Sequence, residues 1–147
     1  DAQHMDLAEW CRQRLMLTLA MENDARMAWL GDQYAGSAQG CFDCIMMTLG
    51  TGIGGAAMMN GLLVRGKHAQ AACIGGHLPV DFKGRLCACG NIGCAEAEAS
   101  GWSMPLVARD WPGYAKSSLA VISPLGFREL FDAALQGDEV ATAVRHR

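Results

Sequence analysis

The sequence predicts an α/β chain, and three observations carry that expectation. Helical stripes of apolar residues recur near the amino end and through the last third. Between them lies CIMMTL, a short unbroken apolar run of strand length, followed by glycine-rich turns and an Asn60-Gly61 hairpin signal. A loop over residues 77–94 then gathers one histidine and three cysteines.

Taken in order, residues 6–15 place Leu7, Trp10, Cys11 and Leu15 among polar neighbours, a helical pattern. Residues 15–21 are apolar and are expected to form a buried strand ending at Glu22-Asn23-Asp24. Residues 25–39 read as a helix of about four turns, with Asn23 or Asp24 as N-cap and Gly40 as the stop. Residues 44–49 read as a second buried strand, broken by Gly50-Thr51-Gly52-Ile53-Gly54-Gly55. Residues 56–59 continue as strand, and Leu62-Leu63-Val64 return after the hairpin turn. Residues 66–76 are irregular, 77–80 a short strand and 81–94 a turn-rich loop. Residues 95–109 are mostly helical, weakened by Gly101 and Pro105, and 112–118 are linker-like. Residues 126–136 and 138–146 are expected as two short helices split at Gly137.

Composition narrows the function classes. Of 147 residues, 51% are hydrophobic and 18% charged, enough for a packed core and against wholesale disorder. A net charge of −3 announces no basic face for nucleic acid or acidic lipid. No run of about 18 apolar residues exists, which excludes a membrane-spanning helix. The chain opens at Asp1 without a signal-peptide pattern and is expected to be a piece whose true start lies upstream. Such a piece should expose apolar surface and associate.

The cysteines stand at 11, 41, 44, 73, 87, 89 and 94. The odd count and the clustering favour metal over a disulfide framework. His77, Cys87, Cys89 and Cys94 read H-x9-C-x-C-x4-C, with Gly90 and Gly93 letting the loop fold back. Three thiolates and one imidazole match closed, tetrahedral, structural zinc with metal–sulfur bonds near ~2.3 Å. Four unrelated residues are the alternative. Cys41-x2-Cys44 has redox spacing, yet it enters an apolar strand and reads as a reduced, half-buried pair. Cys11 and Cys73 read as small hydrophobes.

Two further motifs carry chemistry. Backbone N–H groups of the Gly50–Gly55 turn can cradle phosphate, with Thr51 adding a hydroxyl, although a plain tight turn reads equally well. Neither a Walker loop nor a Rossmann fingerprint is present. In Glu22-Asn23-Asp24, a carboxylate stands where a strand gives way to a helix. Asp24 could take a proton from a substrate hydroxyl while Asn23 bonds a neighbouring one; capping is the simpler role for an Asp there. Trp10, Trp29, Trp102 and Trp111 read as core or interface, and His4, His68 and His146 lack partners at ligand spacing. Arg145-His146-Arg147 is too short for a nucleic-acid tail.

Taken together, these stretches resemble the ROK family (repressors, open reading frames and sugar kinases). Four matches occur in order: Glu22-Asn23-Asp24-Ala25; Leu49-Gly50-Thr51-Gly52-Ile53-Gly54-Gly55; Asn60-Gly61 through Arg65-Gly66; and Gly76-His77 followed by Cys87-Ala88-Cys89-Gly90-Asn91-Ile92-Gly93-Cys94-Ala95-Glu96, then Ala99-Ser100. The likeness spans about residues 5–105. It implies an actin-like ATPase (ribonuclease H-like) lobe of the sugar-kinase type with an inserted zinc loop over 77–94, a partial ROK domain made mainly of the second lobe. It implies ATP-dependent phosphorylation of a hexose or amino sugar in the cytoplasm, with Asp24 as catalytic base. Asn23, Asp24, His77 and Glu96 would bind the sugar, and Gly50, Thr51 and Gly52 the phosphate. His77, Cys87, Cys89 and Cys94 would hold zinc, and Mg-ATP would serve the full-length protein.

The expected partners are a monosaccharide substrate or effector and ATP, with no membrane and with homo-oligomers left open. DNA enters only if an upstream helix-turn-helix exists, as in a sugar-sensing ROK repressor. Two departures stand out. The family commonly has Gly-Glu-Ile-Gly-His before the zinc loop; here Ile74 occupies the sugar-binding Glu position of Cys73-Ile74-Gly75-Gly76-His77. That removes a charged acceptor, a contact worth roughly 1.5–3 kcal/mol, and implies weaker sugar affinity, a different substrate, or a member that is not a kinase. The family's amino-terminal phosphate-binding segment and closing adenine-side segment are also absent from these residues, so the chain alone is expected not to turn over ATP.

Overall fold

A computed structural model describes residues 5–147, so His4 lies outside the described residues. Along the chain run α1 (Leu7–Leu15), α2 (Asp24–Ala35), β1 (Cys44–Leu49), β2 (Ile53–Met59), β3 (Leu62–Leu63), α3 (Ala95–Ala99), α4 (Met104–Arg109), α5 (Phe127–Leu135) and α6 (Glu139–Arg145). Short 3-10 turns stand at Gly75–His77, Tyr114–Lys116 and Ser118–Val121. None of these helices is long and apolar enough to cross a membrane.

The strands form one antiparallel sheet in the order β1-β2-β3. Pairing runs from Cys44↔Met58 to Leu49↔Ile53, which makes Gly50-Thr51-Gly52 the hairpin connection. Asn60 and Gly61 (φ 50° and 73°) supply the left-handed pair that a two-residue turn requires. Because side chains alternate along a strand, Cys44 and Met46 pack toward Trp29, Ala38, Ala56 and Met58, while Ile45, Met47 and Leu49 are exposed on the opposite face. A second core joins Met104 and Val107 of α4, Leu119, Leu130 of α5 and Val140 of α6. A third, smaller one sets Cys87, Cys94 and Ala97 against Trp102.

Several expectations are corrected. No strand forms over residues 15–21: α1 ends there with Met16 in the left-handed region (φ 56°), and Met16, Leu17 and Met21 are exposed. An apolar run becomes a strand only by pairing, and no described strand pairs with it. Helix α2 stops at Ala35 rather than near Gly40, because Asp32 folds over the end and accepts the Ser37 N–H at 3.1 Å. β1 is half-exposed rather than buried.

β2 begins at Ile53, not Ala56. Gly54 and Gly55 belong to the strand because their neighbours come too close for side chains. A Cβ on Gly54 would lie 3.2 Å from Ala25 Cβ, and one on Gly55 2.7 Å from the Ala72 carbonyl oxygen. Residues 77–80 form a 3-10 turn and a lone Pro79–Cys94 bridge instead of a strand. The helix expected over 95–109 is split in two. Buried Ser100 and Ser103 bond each other across the break, the Ser100 N–H donating to Ser103 Oγ at 3.0 Å. Pro105 sits in the first turn of α4, where its missing N–H costs nothing.

The stretch expected as a linker is largely exposed but pinned at its end. Ser117 Oγ and the Ser118 N–H donate to Asp138 (3.0 and 2.7 Å), and Leu119 beside them is fully buried. Leu119→Ala should therefore lower unfolding stability by about 2–5 kcal/mol, read from urea denaturation followed by circular dichroism.

Candidate functional site

Helix α2 begins at the mouth of a cleft. Asn23 is its N-cap: Oδ1 accepts the Arg26 N–H at 3.2 Å, and Nδ2 donates to Asp24 Oδ1 at 3.1 Å. The capping role open between Asn23 and Asp24 thus falls to Asn23. Asp24 is exposed, its Oδ1 also accepts the Ala25 N–H at 2.9 Å, and its Oδ2 has no hydrogen-bond partner among the described residues. That oxygen is open to a ligand in the cleft.

The hairpin turn forms the facing wall. Asn23, Asp24, Gly50, Thr51, Gly52, Cys73 and Glu96 line one cleft of about 470 Å³. From behind, the turn's carbonyls are held by the amides of the α3–α4 break: Gly101 N–H donates to Gly50 O at 2.9 Å and Trp102 N–H to Thr51 O at 3.1 Å. The turn is thereby fixed with its open side toward Asp24. Glu96 closes the cleft, with Oε2 accepting the Ile53 N–H at 2.9 Å and Oε1 lying 3.4 Å from Trp102 Nε1. On its other side a hollow of about 590 Å³, mainly apolar, is lined by Leu86, Ala88 and Trp102.

His77, Cys87, Cys89 and Cys94 come together, with their ligand atoms all within 4.8 Å of one another. Cys87 Sγ is 3.5 Å from His77 Nδ1, and Cys89 Sγ is 3.7 Å from Cys94 Sγ. Cys87 and Cys94 are buried, His77 is half-buried and Cys89 is exposed. The loop folds back as the Cys87 N–H donates to Asn91 O at 2.7 Å, with Gly90 and Gly93 in left-handed conformations. The Asn91 backbone N–H lowers the Cys89 thiol, whereas burial, followed by the neighbouring thiols, pushes Cys94 up to about 12. Four soft or borderline donors converging in this way could hold a metal ion. The cleft brings together Asn23, Asp24, the glycine turn and Glu96; His77 belongs to the cluster and does not line that cleft. Cys41 and Cys44 are not joined and lie outside the cluster; Cys44 is half-buried, but Cys41 is exposed, against the expectation of a half-buried pair.

The ROK family's sequence profile matches residues 1–147. The chain belongs to the ROK family. It is 34% identical to a glucokinase of Thermotoga maritima over all of its own length and 48% of that protein's. A ROK glucokinase of Streptomyces griseus solved with glucose and AMPPNP superposes with a TM-score of 0.73 at 36% identity, over 96% of this chain and 47% of that one. A ROK transcriptional regulator, a homologue of the E. coli MLC protein, does so at 0.75 and 25%, over 94% of this chain and 35% of that one. The α/β structure thus resembles ROK sugar kinases, and the chain spans about half the length of the curated glucokinase it matches.

Reading the sequence of this ROK chain missed three residues at the site. Arg26 is buried and bonds Glu22; the Glu-x3-Arg spacing was the available signal. Cys73 lines the cleft, and Trp102 leans on Glu96; neither carries a local signal.

Glu22 accepts the Asn23 backbone N–H at 3.0 Å, then Arg26 at 3.0 Å and Arg65 at 2.7 Å. These bonds hold its carboxyl at about 2, below the ordinary 4.5. At Asp138 burial opposes the charge, but the N–H of Ala141 and the groups of Ser118 and Ser117 outweigh it and hold it at about 2 against 3.8. A carboxyl whose pKa is lower in the folded chain favours folding fully above its unfolded value, and that contribution disappears as pH falls through the folded one. Urea stability should accordingly decline as pH drops from about 4.5 to about 2. Glu22→Gln should flatten part of that decline.

Proposed function

We propose that this chain is the sugar-binding part of an ATP-dependent hexose or amino-sugar kinase, with Asp24 as general base. The observation that carries the reading is the convergence of Asn23, Asp24, the Gly50-Thr51-Gly52 turn and Glu96 on one cleft. Asp24 Oδ2 would take the proton of a sugar hydroxyl as it attacks phosphorus. Asn23 Nδ2, already bonded to Asp24, fixes that carboxylate's rotation and offers a second donor to the sugar. The Thr51 and Gly52 N–H groups would meet the charge gathering on the transferred group, the Gly50 N–H being held by the Gly52 carbonyl at 3.0 Å. Glu96 accepts a hydroxyl with the lone pairs left beside its Ile53 bond. Mg-ATP, when bound, supplies the phosphoryl group; the likeness to a glucokinase solved with glucose and AMPPNP supports both ligands. Positioning and charge placement suffice for this chemistry.

The ion that fits the four-residue cluster is zinc. Bonds of ~2.3 Å to sulfur and ~2.0–2.1 Å to nitrogen at tetrahedral angles put two sulfurs about 3.8 Å apart and a sulfur about 3.5 Å from a nitrogen. The observed separations are 3.7 and 3.5 Å. With all four positions taken by protein, such an ion is structural: it holds His77 and the start of α3, and so Glu96, in place. His77 Nε2 then stays off the ion, and it would meet a sugar hydroxyl only where the sugar extends beyond the cleft, which His77 does not line.

Likeness to the ROK regulator favours a second reading, in which the same cleft senses a sugar and any DNA-binding helices lie outside this chain. Ile74 in place of the family's Glu is compatible with it.

Two experiments test the proposal. Inductively coupled plasma mass spectrometry should find about one zinc per folded chain, and Cys94→Ser should abolish it; a folded, metal-free chain overturns the zinc assignment. Titration with glucose and N-acetylmannosamine should detect binding that survives in Asp24→Asn. In the protein that carries this chain, the same substitution should cut phosphorylation by about 10²–10⁴-fold. Undiminished phosphorylation by Asp24→Asn rules out the base; binding without phosphorylation by the wild type points to the regulator.

A further inference from the structure

Arg26 is 1% exposed, an uncommon place for a guanidinium. It bonds no core side chain. Nη1 donates to Glu22 Oε1 at 3.0 Å and to the Ala69 carbonyl at 2.9 Å, and Nη2 donates to the Ala71 carbonyl at 2.7 Å. Glu22 is in turn bridged by Arg65 at 2.7 Å and receives the Asn23 N–H at 3.0 Å. One buried cation thus ties the residue preceding Asn23-Asp24 to two carbonyls of the loop 40 or more positions away.

That loop is held in a conformation it would not choose alone. Ala69 and Ala72 have φ of 54° and 64°, where an L side chain is strained and glycine is not. Non-glycine residues persist there when surrounding contacts over-determine them, and such strain gathers at functional sites. On its other side the loop sits on β2, the Ala72 carbonyl over the bare backbone of Gly55. The next residue, Cys73, lines the cleft, and the 3-10 turn Gly75–His77 then delivers the cluster's histidine.

We propose that Arg26 is a positioning residue for the sugar site: by gripping the Ala69 and Ala71 carbonyls it sets the spacing between the Asn23-Asp24 end of α2 and the loop that brings Cys73 to the cleft. The proposal rests on the cleft being the sugar site. Arg26 touches no reacting atom; it acts through the loop and through Glu22. Lysine cannot replace it, since a single ammonium cannot span both carbonyls and the carboxylate in a fixed fork.

The test uses Arg26→Met, which fills similar volume without leaving a cavity, and Arg26→Lys, which keeps the charge beside Glu22. Three quantities are compared with wild type: folding by circular dichroism, iodoacetamide labelling of Cys73 relative to exposed Cys41 by peptide mass spectrometry, and glucose and N-acetylmannosamine affinity by calorimetry. In the folded Met variant, Cys73 labelling should rise several-fold and sugar affinity should fall about tenfold or more, with the Lys variant between. A merely structural arginine would leave the affinity of the folded fraction unchanged, and that result overturns the proposal. Unchanged Cys73 labelling overturns it as well. If Arg26→Met does not fold, the Lys variant decides on the same two readouts. If wild type binds neither sugar, the reading of the cleft itself fails and the positioning role fails with it, an outcome distinct from loss confined to the variants.

Discussion

Along β2 the backbone is approached so closely that side chains have no room, and the site depends on that closeness. Ala25 at the start of α2 presses on Gly54, and the Ala72 carbonyl presses on Gly55. Gly76, one residue before His77, lies against Ile53, and Gly101 lies against Gly50. Three segments remote in sequence (the start of α2, residues 72–76 and Gly101) therefore meet one hairpin at close range. A methyl group at these positions would push its neighbour away, and with it Asp24, the cleft loop or the histidine.

The cysteine loop continues the same logic by different means. It leaves Leu78, Val80, Phe82, Leu86 and Ile92 exposed, so packing alone does little to hold it. Instead His77, Cys87, Cys89 and Cys94 converge, and Cys94 also stands at the N-cap position of α3. Glu96 follows two residues later, so whatever fixes Cys94 fixes the glutamate against Ile53 and Trp102. Cluster and cleft are thus joined through one short helix. The Arg26–Glu22–Arg65 network does the corresponding work on the opposite wall.

Local signals were strong where structure is local. The Asn60-Gly61 turn, the strand of residues 44–49, a capped start of α2 at Asn23 or Asp24 and the split at Gly137 between α5 and α6 were all legible, because each follows from backbone preferences within a few residues. Expectations went astray where a partner decides. An apolar run at 15–21 looked like a strand but finds nothing to pair with among the described residues. Gly54-Gly55 looked like turn and are strand, because their absent side chains serve neighbours from elsewhere. Residues 112–118 looked like linker, yet their serines hold Asp138.

By itself the sequence determined the class of the chain and its family, and it singled out the residues proposed to carry chemistry. Donor types and spacings at His77, Cys87, Cys89 and Cys94, and the Asn23-Asp24 pair, are properties of the order of residues. Only the tertiary structure decided that Glu96 and the glycine turn share a cleft with Asp24, that Cys73 lines it, and that a buried Arg26 grips the loop carrying it. Those are contacts between segments about 20 to 75 residues apart. No local preference encodes such distances; they exist only once the chain has closed.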